Sequence, residues 1–101
     1  MTNPADLKSA FLTAAYGKLS PSLLKYSADI DGQKVCARIV VHDDIGEDEL
    51  ETLFDILGDV MGHTGGIADF ELVRAASLAE AASDPELTVK LFRAFGLHNE
   101  P

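Results

Sequence analysis

The sequence predicts an α+β domain: one three-stranded sheet, antiparallel or mixed, with helices packed on one of its faces, in the order α-β-β-α-β-α. Three observations carry this. Three stretches step their apolar residues by three and four, three others alternate apolar with polar residues, and Asp31-Gly32 stands between two of the alternating runs. A strand with one apolar face needs cover on that side alone, which places the helices there and leaves the other face polar and open. The chain has 101 residues. That length buries roughly two thirds of its extended surface around one core without metal or disulfide staples. Residues 1–101 are therefore read as a single domain, with 97–101 a loose tail.

The first helix starts at Asn3-Pro4-Ala5-Asp6, an asparagine cap followed by proline at the first position and an acid in the first turn. Leu7, Ala10, Phe11, Ala14 and Ala15 form its apolar stripe, and Gly17 can close it in the left-handed conformation. Leu24, Tyr26, Ala28 and Ile30 then alternate with polar residues, as in a strand with one wet face. Asp31-Gly32 predicts a tight hairpin, because a type I′ turn requires positive φ at both central residues. The return strand, about 34–42, places Val35, Ala37, Ile39 and Val41 on one side and Cys36, Arg38, Val40 and His42 on the other.

A second helix is expected from Gly46-Glu47-Asp48-Glu49 to about Met61, with Leu50, Leu53, Phe54, Leu57, Val60 and Met61 facing the core. His63-Thr64-Gly65-Gly66 ends it. A third strand, about 67–75, alternates Ala68, Phe70 and Leu72 with Asp69, Glu71 and Val73. After a short alanine-rich helical piece from Ser77, Ser83-Asp84-Pro85-Glu86 has capping-box spacing. It predicts a last helix with Leu87, Leu91 and Phe95 buried and Gly96 at its end.

Charge narrows the function. The net charge of −9 is not evenly spread: residues 39–73 contain ten acids and no Lys or Arg, while the remaining positions sum to about +1. Such a field repels nucleic acids and anionic membranes and attracts basic partners. No apolar run approaches the ~20 residues of a membrane span, and the first residues lack the basic-then-apolar layout of a signal peptide. A single cysteine, Cys36, rules out an internal disulfide and fits a reducing compartment, so a cytoplasmic location is expected.

Within the acidic segment, Glu47, Glu51, Asp55 and Asp59 recur at intervals of four, which aligns them in one row along the second helix. Carboxylates are favoured at a helix N-terminus, which accounts for Glu47, Asp48 and Glu49, but Asp55 and Asp59 lie toward the end that disfavours them. The row is read as a docking surface for Lys- and Arg-rich residues, with Asp43, Asp44 and Asp48 at its rim. The competing reading is an ordinary solvated face.

Other constellations give less. His42, Asp43 and Asp44, with Asp59 and His63, offer imidazole and hard-oxygen donors, yet match no defined zinc or calcium spacing, so no metal and no cofactor is expected. Cys36 could act as a nucleophile with His42 or His63 as base, but a mid-strand position suits an inert thiol. Gly58, Gly62, Gly65 and Gly66 neither follow a strand nor open a helix, which removes the geometry of a phosphate loop. Tyr16, Tyr26 and Arg38 are residue types favoured as interface anchors, Tyr26 being the one expected in the core.

The N-terminal amphipathic helix, the hairpin at Asp31-Gly32, and Asp43-Asp44 leading into Glu47-Asp48-Glu49-Leu50-Glu51 together resemble the small immunity proteins of bacterial contact-dependent inhibition and related polymorphic toxin systems. The resemblance covers about residues 5–75 and rests on element order and charge. It implies a compact cytoplasmic protein that neutralises a cognate toxin domain by tight binding, its acidic helix meeting the basic active-site rim of a nuclease. The expectation is a non-enzymatic inhibitor. The alternatives are a homodimeric ligand-sensing or regulatory domain using the open sheet face, and an enzyme or metal protein built on His42, Asp43, Asp44 and His63.

Overall fold

Helix α1 (Pro4–Ala15) begins as its sequence dictates. The Asn3 side chain accepts the Asp6 N–H at 2.9 Å, and Pro4 occupies a position whose missing N–H costs nothing. It ends at Gly17, whose φ of +73° is the left-handed value that glycine adopts without a Cβ penalty. A computed structural model describes residues 3–31, 34–64 and 67–94, and of residues 63, 64, 67 and 68 the backbone alone.

Strands β1 (Leu23–Asp31) and β2 (Lys34–His42) form the expected hairpin. Asp31 pairs with Lys34, and the rest of the predicted turn, Gly32, lies outside the described residues. Helix α2 (Glu47–Thr64) follows, then β3 (Ile67–Ala75), which runs parallel to β2 with Lys34 opposite Ile67 and His42 opposite Ala75. The sheet is thus mixed, and β2-α2-β3 is a crossover unit.

The chain then departs from expectation. Ser77 caps the short helix α3 (Leu78–Ser83), but the helix predicted from Ser83 is a strand, β4 (Val89–Arg93), antiparallel to β1. Among the described residues the sheet has four strands, in the order β3-β2-β1-β4, not three. The capping-box residues of the expected helix have distant partners instead: Asp84 receives Arg38, and Glu86 receives Arg93. The edge of β1 offered a ladder to Val89-Lys90-Leu91-Phe92-Arg93, and tertiary pairing outweighed local helix propensity. Phe95, Gly96 and residues 97–101, to which the rest of that helix and the tail were assigned, lie outside the described residues.

One sheet face carries the main core. Tyr26, Ala28, Val35, Ala37, Ile39 and Val41 meet Leu7, Phe11 and Ala14 of α1 and Leu53, Ile56, Leu57 and Val60 of α2. Ile56 is 1% exposed and Phe54 is 40% exposed, so the buried stripe of α2 is centred on Leu53, Ile56, Leu57 and Val60 and leaves Phe54 at its margin. Leu24 was expected beside Tyr26, but a bulge between Leu23 and Lys25 turns it to the opposite face, where it packs with Val40, Ala75 and Ala81.

That opposite face is therefore not open. Helix α3 covers one end of it, and residues 84–88 cross it as a strap fixed by strand side chains. The Lys25 ammonium, in a residue only 1% exposed, donates to the carbonyls of Ala82 (3.4 Å) and Asp84 (2.8 Å). Burial lowers the Lys25 pKa, with Glu86 acting in the opposite direction. Arg38 grips the Asp84 carboxylate with two bonds of 2.8 and 2.9 Å, Ser27 Oγ accepts the Leu87 N–H, and the Asp29 carboxylate accepts the Thr88 N–H. Helices on one face alone is corrected to helices on both, because a chain returning to form β4 must cross the far side of the sheet. Among the described residues no helix is long and apolar enough to cross a membrane.

One core residue carries an unmet polar group. Tyr26 is 1% exposed, and its hydroxyl has no hydrogen-bond partner among the described residues. Burial raises its pKa. An unsatisfied buried hydroxyl costs free energy, so Tyr26→Phe is expected to raise stability by about 1 kcal/mol. Thermal and urea unfolding of the two proteins measure it, and a clear loss would contradict the orphaned hydroxyl.

Candidate functional site

Helix α2 lies across the sheet with its buried stripe inward, which turns Glu47, Glu51, Asp55 and Asp59 outward; all four are exposed. Neighbours in this row are about 5–6 Å apart, so like charges oppose one another at a cost of a few tenths of a kcal/mol per pair. Among the described residues no ion pair forms at Glu47, Asp48, Glu51 or Asp55.

The row is not bare along its whole length. Lys18, from the turn after α1, approaches Asp59 at 3.7 Å with both side chains about half exposed. Beyond the helix, Lys34 pairs with Asp69 at 2.9 Å and Arg38 with Glu71. Cations from outside the acidic segment thus reach three of its ten acids. Among the described residues Glu47, Glu51 and Asp55 thus have no ion pair, and Asp59 has Lys18.

Three further acids are tied up locally. Glu49 accepts hydrogen bonds from Ser20, from Ser22 (3.0 Å) and from the Gly46 N–H (3.3 Å), which together hold its carboxyl below the usual range. This residue fixes the α1–β1 connection to the start of α2, and it serves the fold. Asp43 and Asp44, assigned to the rim, gather around their neighbour His42: Nδ1 lies 2.5 Å from an Asp44 oxygen and 3.3 Å from an Asp43 oxygen. The donor atoms of the three residues lie within 4.8 Å of one another. His63, the other imidazole in the metal reading, has no described side chain.

Flanking features give the row its relief. On one side the segment Gly17–Pro21 and α2 enclose an open cleft of about 540 Å³, with Asp48 and Asp55 on its wall and Lys18 opposite. On the other side Phe54 and Phe70 expose 40% and 46% of their surfaces, with ring centroids 5.8 Å apart. This aromatic pair was not recognised in the sequence, where both residues fall on apolar positions. The stripe centred on Ile56 is the signal that could have placed Phe54 outside.

The remaining candidates separate. Cys36 and His42 lie six residues apart on one face of β2, about 20 Å at strand rise, so His42 cannot serve as a base for that thiol. Arg38 is engaged by Asp84 and Glu71, and Tyr26 is buried; of the three anchor candidates only Tyr16, 87% exposed, is available at the surface. Compared with known protein families and with curated proteins, the chain matches no family and no curated sequence.

Proposed function

We propose that this chain is a non-enzymatic binding protein of the immunity or inhibitor kind, which neutralises a basic toxin domain through the outer face of α2. The observation that carries this is the row Glu47, Glu51 and Asp55, exposed and without a cation among the described residues. A helix gains nothing in stability from such a row, since carboxylates four apart repel, whereas a basic partner gains both steering and register from it. Asp48 extends the surface into the cleft, Asp59 closes it where Lys18 begins to neutralise it, and Asp43 and Asp44 precede it. A homodimeric ligand-sensing domain finds less support, because the strap and α3 occupy much of the sheet face it would use.

The test is a charge reversal. Immobilised protein and a Glu47→Lys, Glu51→Lys, Asp55→Lys variant are exposed to native lysate at low salt. The unmodified protein should retain a basic protein that elutes as salt rises, and the variant should not. With the purified pair, electrostatic steering accounts for a factor of about 10 to 1,000 in association rate, so the variant should associate at least about tenfold more slowly. The captured protein expressed alone should arrest growth, and coexpression should restore it. Equal retention by both proteins rejects this surface, and a captured partner without toxicity rejects the inhibitor role.

A further inference from the structure

Electrostatics alone does not distinguish lysine from arginine as the partner's cation, but the aromatic pair beside the row does. We infer that Phe54 and Phe70 form a stacking platform for an arginine of the bound partner, whose guanidinium pairs with Glu51 while its plane lies on the rings. The inference rests on the reading of α2 as the docking face and names the chemistry of what docks there.

Four observations support it. The rings are tilted by 57° and remain nearly half exposed, so their contact with each other does not use up their open faces. Helical side chains lean toward the N-terminus, which carries the Phe54 ring over the turn that bears Glu51, three residues earlier. One turn further on is Gly58; a Cβ built there would have nothing within 4 Å, so that side of the ring is uncovered. Finally, the cations of β2 and β3 are placed elsewhere. Lys34 is held by Asp69, Arg38 by Asp84 and Glu71, and Arg74, on the same side of β3 as Phe70, is four residues beyond it, about 13 Å along the strand.

An exposed aromatic pair on a soluble protein has an apolar segment, a second copy of the chain, or a cation as its natural occupant. Adjacent negative charge selects the cation. An uncharged apolar segment would desolvate Glu51 and Asp55 without compensation, and a second copy would bring two acidic helices together. Between the cations, the planar, weakly hydrated guanidinium can stack on a ring and pair with a carboxylate at once, whereas an ammonium is a compact, strongly hydrated charge.

Two synthetic peptides of equal length and charge, one with arginine and one with lysine at every basic position, test this against the unmodified protein and a Phe54→Leu, Phe70→Leu variant. The arginine peptide should bind about threefold to fivefold more tightly, as expected for a cation over exposed rings. Its δ-methylene protons should shift upfield in the NMR spectrum of the complex. In the variant the preference and the shift should disappear while salt-sensitive binding of both peptides remains. Equal affinity for both peptides, or a preference that survives the substitution, overturns the platform and leaves the acidic face standing. If neither peptide binds in a salt-sensitive way, the docking face falls with it. A concentration-dependent dimer abolished by the same substitutions would also overturn the proposal, since the rings would then belong to a self-interface.

Discussion

Truncating Phe11 to alanine is expected to lower the free energy of unfolding by about 3–5 kcal/mol, a large part of the roughly 5–15 kcal/mol that a domain of this kind possesses. Phe11 is 2% exposed, and its ring centroid lies 4.8 Å from that of Tyr26 and 6.5 Å from that of Phe92. One side chain of α1 therefore joins the helix to both β1 and β4. Its removal leaves a void lined by residues of a sheet that cannot move inward to fill it. Leu12, the next residue, is 68% exposed and provides the control, since Leu12→Ala should change stability by less than about 0.5 kcal/mol. Urea denaturation of the three proteins decides the matter, and comparable small losses in both variants would show that α1 is not packed as described.

The second large effect concerns the strap. Asp84→Ala should cost about 2–4 kcal/mol, because it leaves the Arg38 guanidinium, whose side chain is 21% exposed, without the carboxylate that takes two of its hydrogen bonds. Glu71, at the sheet edge, retains one contact with Arg38 and keeps the loss below that of a wholly stranded charge. The damage should also be local. Amide exchange should accelerate in β4 and α3 while the β2–β3 ladder stays protected. A double replacement, Arg38→Met with Asp84→Leu, should recover part of the loss, since exchanging a paired charge for apolar groups of similar volume is often close to neutral. Uniform acceleration across the sheet, or no stability change in Asp84→Ala, would mean that the strap is not held by this pair.

Much of the architecture could be read from periodicity and capping. Asn3-Pro4 and Gly17 bound α1, the alternation around Asp31-Gly32 yields the hairpin, and Glu47 begins α2. What could not be read depends on partners distant in the chain. Leu87, Leu91 and Phe95 are spaced as in a helix, and only the vacant edge of β1 makes Val89–Arg93 a strand; a short apolar run fits either form until its neighbour is known. The bulge at Leu24 leaves no mark in the local pattern, yet it moves a leucine from one core to another. The same division applies to the candidate site. The spacing of Glu47, Glu51 and Asp55 announced their alignment, because i to i+4 is a property of the helix itself. The approach of Lys18 to Asp59 and of Phe70 to Phe54 joins separate elements, and no interval in the sequence encodes it.

Strand β1 is an interior strand only because the last described element lies against it: Val89 and Phe92 pair with Ala28 and Tyr26, and Ala94 N–H reaches the Leu24 carbonyl at 2.9 Å. A chain emerging from the ribosome cannot complete this sheet until β4 is free, and until then the backbone N–H and C=O groups along that edge of β1 are unprotected. Shortening the protein before Val89 would make this exposure permanent. Unpaired edges of this kind act as templates for other strands, so the expected product is aggregation rather than a smaller folded domain.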